Sequence, residues 1–393
     1  MKTIMIVGAG FGQLPAILAA KELGYKVIAI DKNPNALGMQ EADIALPIDI
    51  LDVDAAISAA KQHGISGVMT MQSDLPVPTV GGIIDALGLP GNGLKISNTC
   101  SDKVETRKRF AKAGVPQPAF AFANNIQEIR KLADDFGYPC IIKAPDSSGS
   151  RGVTKVNNAA EVEPAYNEAR KYARAENIIV EEYIEGLEIG AQAFSIDGKC
   201  VKVLVHNDTV SEPPYMIPTG HSFPFRHPEI EAEIEQAVMR AVDALGVLDG
   251  PSNIDLILDQ NQQAKIIEIG VRIGATCLPE LVLYYSGIDW VKAAVLAAMG
   301  EKPKLEVTKN QATAALIIES PADGVLKKYE IPEKVRNDSK VLEVEVTVEA
   351  GEKVEKLRKG TDRIGKIIVR DDTVNQAEKY AEYLRELISI EVE

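Results

Sequence analysis

The sequence has few of the residues from which metal, disulfide and nucleophile sites are usually built. Its 393 residues include only four cysteines and four histidines. The cysteines are far apart and form no CxxC pair, which argues against a zinc site or a disulfide framework. Few histidines also leave few possible Ser/His/Asp or Cys/His arrangements. A protein of the reducing cytoplasm fits this composition best.

Basic residues are also in deficit, with 43 Lys and Arg against 57 Asp and Glu, a net charge of −14. This balance disfavours nucleic acid or an anionic membrane as the main partner. No segment has the ~18 uninterrupted apolar residues that a membrane span needs. The hydrophobic fraction of 46% is ordinary for a globular protein, and the length suggests two to three domains.

The segment with the most specific pattern is a predicted hairpin near residue 260. Alternating apolar runs flank the polar residues 260–263, which is typical of two antiparallel strands. A turn centred between Asn261 and Gln262 places Asp255 opposite Glu268. Opposed like charges destabilise a sheet, so a cation is expected between them. We therefore predict a buried acid pair that holds Mg²⁺, with a solvated hairpin face as the alternative.

Strand periodicity also predicts which side chains share a face with this acid pair. Arg272 lies on the same face as Glu268, and Gly270 between them leaves room. The residues expected to face the core are Ile267, Ile269 and Val271.

The first ~95 residues alternate short apolar runs with helical patterns, which predicts a parallel α/β sheet. Its expected strands are residues 3–7, 26–30 and 67–70. Residues 8–13 and Asp31 imitate a dinucleotide-binding fingerprint, but Gln13 stands where the third glycine belongs. Ser73 and Asp74 follow the third strand, where such sheets bind ligands. They are candidates for binding a substrate, and helix capping by either residue is the alternative.

Two further segments have the composition of a nucleotide site. An apolar run ends in Lys143, the small-residue loop 146–152 follows, and a strand resumes at 153–156. This predicts a β-hairpin lid over phosphates, with an ordinary surface turn as the alternative. Residues 177–188 run from an apolar strand into acids that can accept hydrogen bonds from adenine or ribose. A charged linker is the alternative there.

Taken in order, these motifs resemble the ATP-grasp superfamily along nearly the whole chain. The matching positions are Lys103, Lys143, the loop 146–152, residues 181–184, Glu188, Asp255, Glu268 and Arg272. The Glu-x-Gly-x-Arg form at 268–272 and the tail 362–367 are most similar to the L-amino acid ligase group. Biotin carboxylase and purine-pathway enzymes look like more distant relatives.

The resemblance implies an α/β and α+β architecture in three parts. An N-terminal parallel α/β domain would span residues 1–100, and an ATP-grasp core 101–307. A mobile β-rich lid would lie at about 115–186 inside this core. A small β-rich α+β domain would span 308–393; strict alternation at 341–348 and a helical pattern at 374–387 fit it.

The resemblance also implies a role for each matching residue. Lys103 and Lys143 would contact the phosphates of ATP, under a loop that includes Ser148, Gly149 and Gly152. The adenosine would be held by Glu181, Tyr183, the backbone of Ile184, and Glu188. Asp255 and Glu268 would bind Mg²⁺, with Mn²⁺ as an alternative, and Arg272 would bind the substrate carboxylate and its acyl phosphate. The catalytic residues would be Arg272 and Lys143. Many relatives carry Asn where this chain has Gly270, so a second metal's third ligand is in question.

The implied activity is an ATP- and Mg²⁺-dependent carboxylate–amine ligase that joins amino-acid-like small molecules in a cytoplasmic homodimer. His206, His221 and Arg226 are candidates for contacting its substrates, or else scaffold residues. A purine-pathway ligase or carboxylase is one alternative. An NAD-dependent dehydrogenase and a non-catalytic nucleotide-binding module are the others.

Overall fold

A computed structural model describes residues 1–147, 151–211 and 217–393, so Ser148 and Gly149 lie outside the described residues. The chain begins with a four-stranded parallel sheet in the order β3-β2-β1-β4, as the alternating pattern predicts. Its elements are β1 (Thr3–Val7), α1 (Leu14–Glu22), β2 (Lys26–Ile30), α2 (Leu37–Glu41), β3 (Ile44–Leu46), α3 (Val53–His63), β4 (Gly67–Met69), α4 (Val77–Leu87) and α5 (Leu94–Ser101).

The next part is an antiparallel sheet in the order β5-β8-β6-β7, with two helices on one face. Its elements are α6 (Lys103–Ala113), β5 (Phe120–Ala123), α7 (Ile126–Phe136), β6 (Cys140–Lys143), β7 (Val153–Val156), α8 (Val162–Tyr172) and β8 (Ile178–Glu182). Strands β6 and β7 pair as the predicted hairpin. Helix α6 begins where the Asp102 carboxylate accepts hydrogen bonds from the backbone N–H groups of Val104 and Glu105.

The central sheet has eight strands in the order β13-β12-β9-β10-β11-β14-β18-β16. Its first elements are β9 (Gly186–Ile196), β10 (Lys199–Val210), β11 (Pro218–Phe223), α9 (Pro228–Leu245), β12 (Gly250–Asp259), β13 (Ala264–Gly270), α10 (Leu278–Ser286), α11 (Trp290–Ala298) and β14 (Thr313–Ile318). Helix α9 packs on one face, against Ile254 and Ile269. On the other face Phe194 meets Trp290 edge to face, with 5.2 Å between ring centroids.

The C-terminal residues extend this sheet, because β14 pairs with β11 and β18 pairs with β14. The remaining elements are β15 (Gly324–Glu330), α12 (Glu333–Arg336), β16 (Val341–Val346), β17 (Lys353–Val354), β18 (Gly365–Arg370), α13 (Val374–Glu386) and β19 (Ser389–Val392). A three-stranded sheet has the order β17-β15-β19. Helix α13 buries Ala377, Ala381 and Leu384 against this part.

No single helix in the described ranges is long and apolar enough to cross a membrane. Helices α10 and α11 reach that length and composition only as a pair, bent by 108° at their junction.

One buried arginine joins three elements of this architecture. The Arg107 side chain, 1% exposed, donates from Nε to Glu181 Oε1 at 2.7 Å. Its Nη1 and Nη2 atoms donate to the carbonyl oxygens of Ile266 and Ile267 at 3.0 and 2.8 Å. Helix α6 is thereby linked to β8 and to β13. The sequence does not distinguish Arg107 from the basic residues around it on α6.

We expect Arg107→Ala to lower the free energy of unfolding by about 3–5 kcal/mol, because it leaves the buried carboxylate of Glu181 with one cation instead of two. Equilibrium denaturation in guanidinium measures this loss. Arg109→Ala is the matched control, since it removes a partly exposed i,i+4 pair with Glu105 that should contribute less than about 1 kcal/mol. Equal losses in the two variants would contradict the role of Arg107.

Candidate active site

The predicted acid pair is present on the hairpin of β12 and β13. Asp255 lies directly opposite Glu268, so the central pairing is confirmed. The turn, however, differs from the prediction: Gln262 adopts a left-handed φ of 60° and donates its N–H to the Asp259 carbonyl. This closes a tighter turn, and an irregularity between Asp255 and Leu256 then shifts the register by one residue.

This shift changes which side chains of β13 face the core. Ile266 is fully buried, whereas Ile267 is only partly buried, so the expectation for Ile267 is wrong. Ile269 faces the core as predicted, with Val271 packed against its edge. Beyond the bulge the strand regains its period of two, which places Glu268 correctly.

The acid pair is not buried as expected, because it opens onto a cleft. Asp255 is exposed, and the side chain of Glu268 is 35% exposed. Lys103 Nζ lies 2.8 Å from Glu268 Oε1. The surrounding protein weakens the hydration of Asp255 and raises its pKa to about 7, and the charges of Glu268 and Asp208 add to this rise. A cation at this position would relieve that repulsion, so the pair has the oxygen donors and the charge that suit Mg²⁺.

Arg272 lies beside the acid pair, held by a residue from the N-terminal sheet. Its Nε and Nη2 atoms donate to Oδ1 and Oδ2 of Asp74 at 2.8 and 2.9 Å. Burial alone would raise the pKa of Asp74, but the guanidinium outweighs it and lowers that pKa. Ser73 is partly buried next to this contact. From the sequence, both Arg272 and Asp74 were predicted to bind substrate, but the contact between them was not predicted.

The two lysines lie near the junction between the lid hairpin and β13. Lys143 Nζ is 2.7 Å from Glu181 Oε2, and burial lowers the pKa of Lys143 to about 8 although Glu181 opposes this. Lys103 Nζ donates to the Ser147 carbonyl at 2.6 Å, at the last described residue before the gap in the loop. Both lysines are therefore close to the loop that was predicted to cover phosphates.

The adenosine candidates follow β8. Ile184 is 8% exposed, and Lys155 Nζ lies 3.8 Å from the centre of the Tyr183 ring. Gly152 has a φ of 68°, which favours glycine at the end of the loop. Burial raises the pKa of Glu188 to about 7, and the charges of Asp208 and Asp255 contribute.

Asp208 belongs to this site and was missed from the sequence. The Nδ1 atoms of His206 and His221 lie 2.7 and 2.6 Å from Asp208 Oδ1. His206 Nε2 is 3.2 Å from the amide nitrogen of Gln192, which can only donate. His206 is therefore a neutral imidazole that donates from Nδ1. Burial lowers its pKa, in agreement with this assignment.

A sequence signal for Asp208 did exist. His206 and Asp208 are two residues apart on β10, which places them on one face, and His221 lies opposite Asp208 on β11. The three residues also have the donor set of a metal site. Both histidines are thus joined to the acidic cleft through Asp208.

Arg226 is not brought to this cluster. Its backbone N–H donates to Asn207, whose side chain points to the opposite face of the sheet from His206. Its guanidinium pairs with Glu378 of α13 at 2.9 Å. A cavity of about 240 Å³ lies beside this pair, and Glu382 and His221 are also among its lining residues.

Two backbone N–H groups of the glycine-rich turn after β1 are already hydrogen-bonded to side chains. Gln13 accepts a hydrogen bond from the Gly10 N–H at 3.2 Å and donates to the Met71 carbonyl at 2.6 Å. The Ala9 N–H donates to Asp31 at 3.0 Å. A pyrophosphate would need these donors, so the arrangement disfavours a dinucleotide site.

Comparison with known families agrees with the geometry. Residues 100–276 match the ATP-grasp domain, and residues 316–393 match the L-amino acid ligase C-terminal domain 2. The chain therefore carries an ATP-grasp domain and an L-amino acid ligase C-terminal domain. ATP-grasp enzymes use ATP and Mg²⁺. The superfamily and its L-amino acid ligase group were both predicted from the sequence, and both are confirmed. These matches place it among ATP-dependent ligases that form C–N bonds.

Solved structures share the fold over the full length. A phosphoribosylglycinamide synthetase from Anaerococcus prevotii is 29% identical, with a TM-score of 0.83 and 100% of each chain covered. An L-amino acid ligase from Bacillus licheniformis has a TM-score of 0.86 at 23% identity, covering 100% of this chain and 99% of that one. The second likeness shows the fold alone.

One curated relative is matched over a shorter span than these solved structures. A formate-dependent phosphoribosylglycinamide formyltransferase from Sulfurisphaera tokodaii is 30% identical over 193 residues, or 47% of each chain. The match therefore spans about half the length of that relative.

The raised pKa of Asp255 predicts that this carboxylate, which suits metal binding, lowers the stability of the metal-free protein. The pKa of Asp255 in the folded protein, about 7, lies above the ordinary aspartate value of 3.8, so ionised Asp255 destabilises the metal-free protein above pH 7. As pH falls below 7 the folded form binds a proton and the cost shrinks. Asp255→Asn should therefore raise the thermal midpoint without metal, more at pH 8 than at pH 5. Calorimetry with EDTA, beside Asp54→Asn as a surface control, measures this; a lower midpoint at pH 8 would contradict it.

Proposed function

We propose that the protein is an ATP- and Mg²⁺-dependent carboxylate–amine ligase that joins amino-acid-like small molecules through an acyl phosphate. The observation that carries this proposal is the meeting of Asp255 and Glu268 with Lys103 and Arg272 in one cleft. Mere nucleotide binding does not require an arginine beside the metal ligands. The chemistry needs positioning and neutralisation of charge, which this set supplies without a protein nucleophile.

In the first step the substrate carboxylate attacks the γ-phosphorus of ATP, the bond to the β-phosphate oxygen breaks, and ADP leaves. Lys103 and Lys143 would neutralise the phosphates, and Arg272 would orient the carboxylate. Mg²⁺ bound by Asp255 and Glu268 would neutralise charge on the transferred group. The lid hairpin would keep water from the acyl phosphate.

In the second step the ammonium substrate first gives up one proton. The free amine then attacks the acyl carbon, the bond to phosphate breaks, and the second proton leaves with the phosphate. His221 is the proposed acceptor of the first proton. Its Nδ1 lies within hydrogen-bond distance of Asp208. A neutral His221 that donates from Nδ1 would keep the lone pair of Nε2 as a proton acceptor. His206, with both nitrogens engaged, would hold Asp208 in place.

The residues proposed to bind the nucleotide are those expected from the sequence, except that Glu181 is no longer assigned to adenine. Both carboxylate oxygens of Glu181 already bind cations, Arg107 and Lys143. We therefore assign adenine recognition to the backbone through Ile184 and to Tyr183, with Glu188 at the ribose. Substrate contacts by Ser73 and Asp74, the homodimer and the three domains stay proposals.

The direct test supplies MgATP and a pool of amino acids, and measures ADP release followed by mass analysis of products. We expect ADP together with a new amide, identified by splitting the pool. Purine-pathway amines and carboxylates form a second panel. ADP with purine substrates only would replace the amino acid assignment by a purine one, and tight ATP binding without ADP in either panel would overturn the ligase.

A second prediction isolates the proton acceptor. His221→Gln should slow amide formation by about 100-fold or more, because the ammonium substrate keeps its proton. Hydroxylamine, which is uncharged at neutral pH, should still trap the acyl phosphate as a hydroxamate at the wild-type rate. Equal losses with both nucleophiles would contradict the role of His221.

A further inference from the structure

Gly270 lies two residues after Glu268 at the end of β13, and the structure shows what fills the space beside it. A Cβ added to Gly270 would lie 2.7 Å from Asp74 Oδ1, and 3.2 and 3.3 Å from Cζ and Nη2 of Arg272. Real Cβ atoms essentially never come within 3.0 Å of another heavy atom, so the contact with Asp74 could not stay as it is. Asp74 and a side chain at position 270 therefore compete for the same space.

Backbone strain does not explain this glycine. Gly270 is not among the residues with positive φ, and it lies at the end of the regular strand β13. Its backbone would accept an ordinary side chain. What position 270 must preserve is room for the carboxylate of Asp74.

The contact that fills this room is specific. Asp74 comes from the segment between β4 and α4, 198 residues from Arg272 in sequence. It binds the guanidinium through two parallel hydrogen bonds, which fix the plane of the arginine as well as its position. The Asp74 side chain is 30% exposed and that of Arg272 13%, so the pair is at the edge of the cleft.

The segment that carries Asp74 is itself hydrogen-bonded to the chain that follows β13. The Gln72 N–H donates to the Ile273 carbonyl at 3.0 Å, and Gln72 has a φ of 59°. The segment after β4 therefore contacts the chain at Ile273, directly after Arg272, as well as at Arg272 itself.

We propose that Asp74 is a positioning residue, supplied by the N-terminal sheet in the space left by Gly270, that orients Arg272 for phosphoryl transfer. This inference rests on the role given to Arg272 in the proposed function. The N-terminal part of the chain would then act on the reaction through Arg272, without itself contacting the reacting atoms.

The test compares kcat and KM for the carboxylate in Asp74→Asn, Gly270→Asn and the double variant Asp74→Ala/Gly270→Asn. Each single change should lower kcat by about tenfold or more and leave the KM for ATP unchanged, because Arg272 loses its orientation. The double variant should recover part of the loss of Gly270→Asn, since the new amide then has the space of Asp74. Asp54→Asn, on the exposed side of α3, is the control.

A measurement without turnover separates this proposal from the proposed function. Thermal midpoints of Asp74→Ala, Arg272→Ala and their double variant should be non-additive, with the double loss smaller than the summed single losses. Additive losses, or wild-type kcat in Asp74→Asn, would overturn the positioning role. If the midpoints are non-additive but the protein ligates nothing, the contact between Asp74 and Arg272 stands. The ligase activity and the positioning role of Asp74 in it are then both overturned.

Discussion

The cleft is organised around the repulsion between carboxylates that the hairpin of β12 and β13 forces together. Asp255 and Glu268 are opposed by strand pairing, and Asp208 and Glu188 add negative charge nearby. Lys103 and Arg272 offset only part of this charge. Repulsion between these carboxylates destabilises the protein without ligands. A bound divalent cation would offset that repulsion, as a metal-dependent enzyme acting on phosphates requires.

The remaining architecture places cations around this acidic centre from several elements. Lys103 begins α6, Lys143 ends β6, and Arg272 follows β13. Each is held by a carboxylate from another element: Glu268, Glu181 and Asp74. Since each of these cations is already held by a carboxylate, little reorganisation would be needed during the proposed phosphoryl transfer.

Much of this could be read from the sequence because strand pairing and alternation are local rules. The opposition of Asp255 and Glu268 was predictable from the polar turn between two apolar runs. The left-handed Gln262 and the bulge were not, because they depend on turn geometry, and Ile267 was assigned to the wrong face for that reason. Arg107 and the Asp74–Arg272 pair were missed because contacts between distant segments leave no periodic signal. Asp208 was missed although its spacing from His206 was visible.

The measurement closest to the central claim is the binding of Mn²⁺, a paramagnetic substitute for Mg²⁺, to the protein with ADP, followed by electron paramagnetic resonance. The account predicts that wild-type protein binds Mn²⁺ with ADP and that Asp255→Asn and Glu268→Gln each lose this binding while both still bind ADP. Wild-type affinity for Mn²⁺ in both variants would contradict the account, because the opposed carboxylates would then have no part in holding the metal.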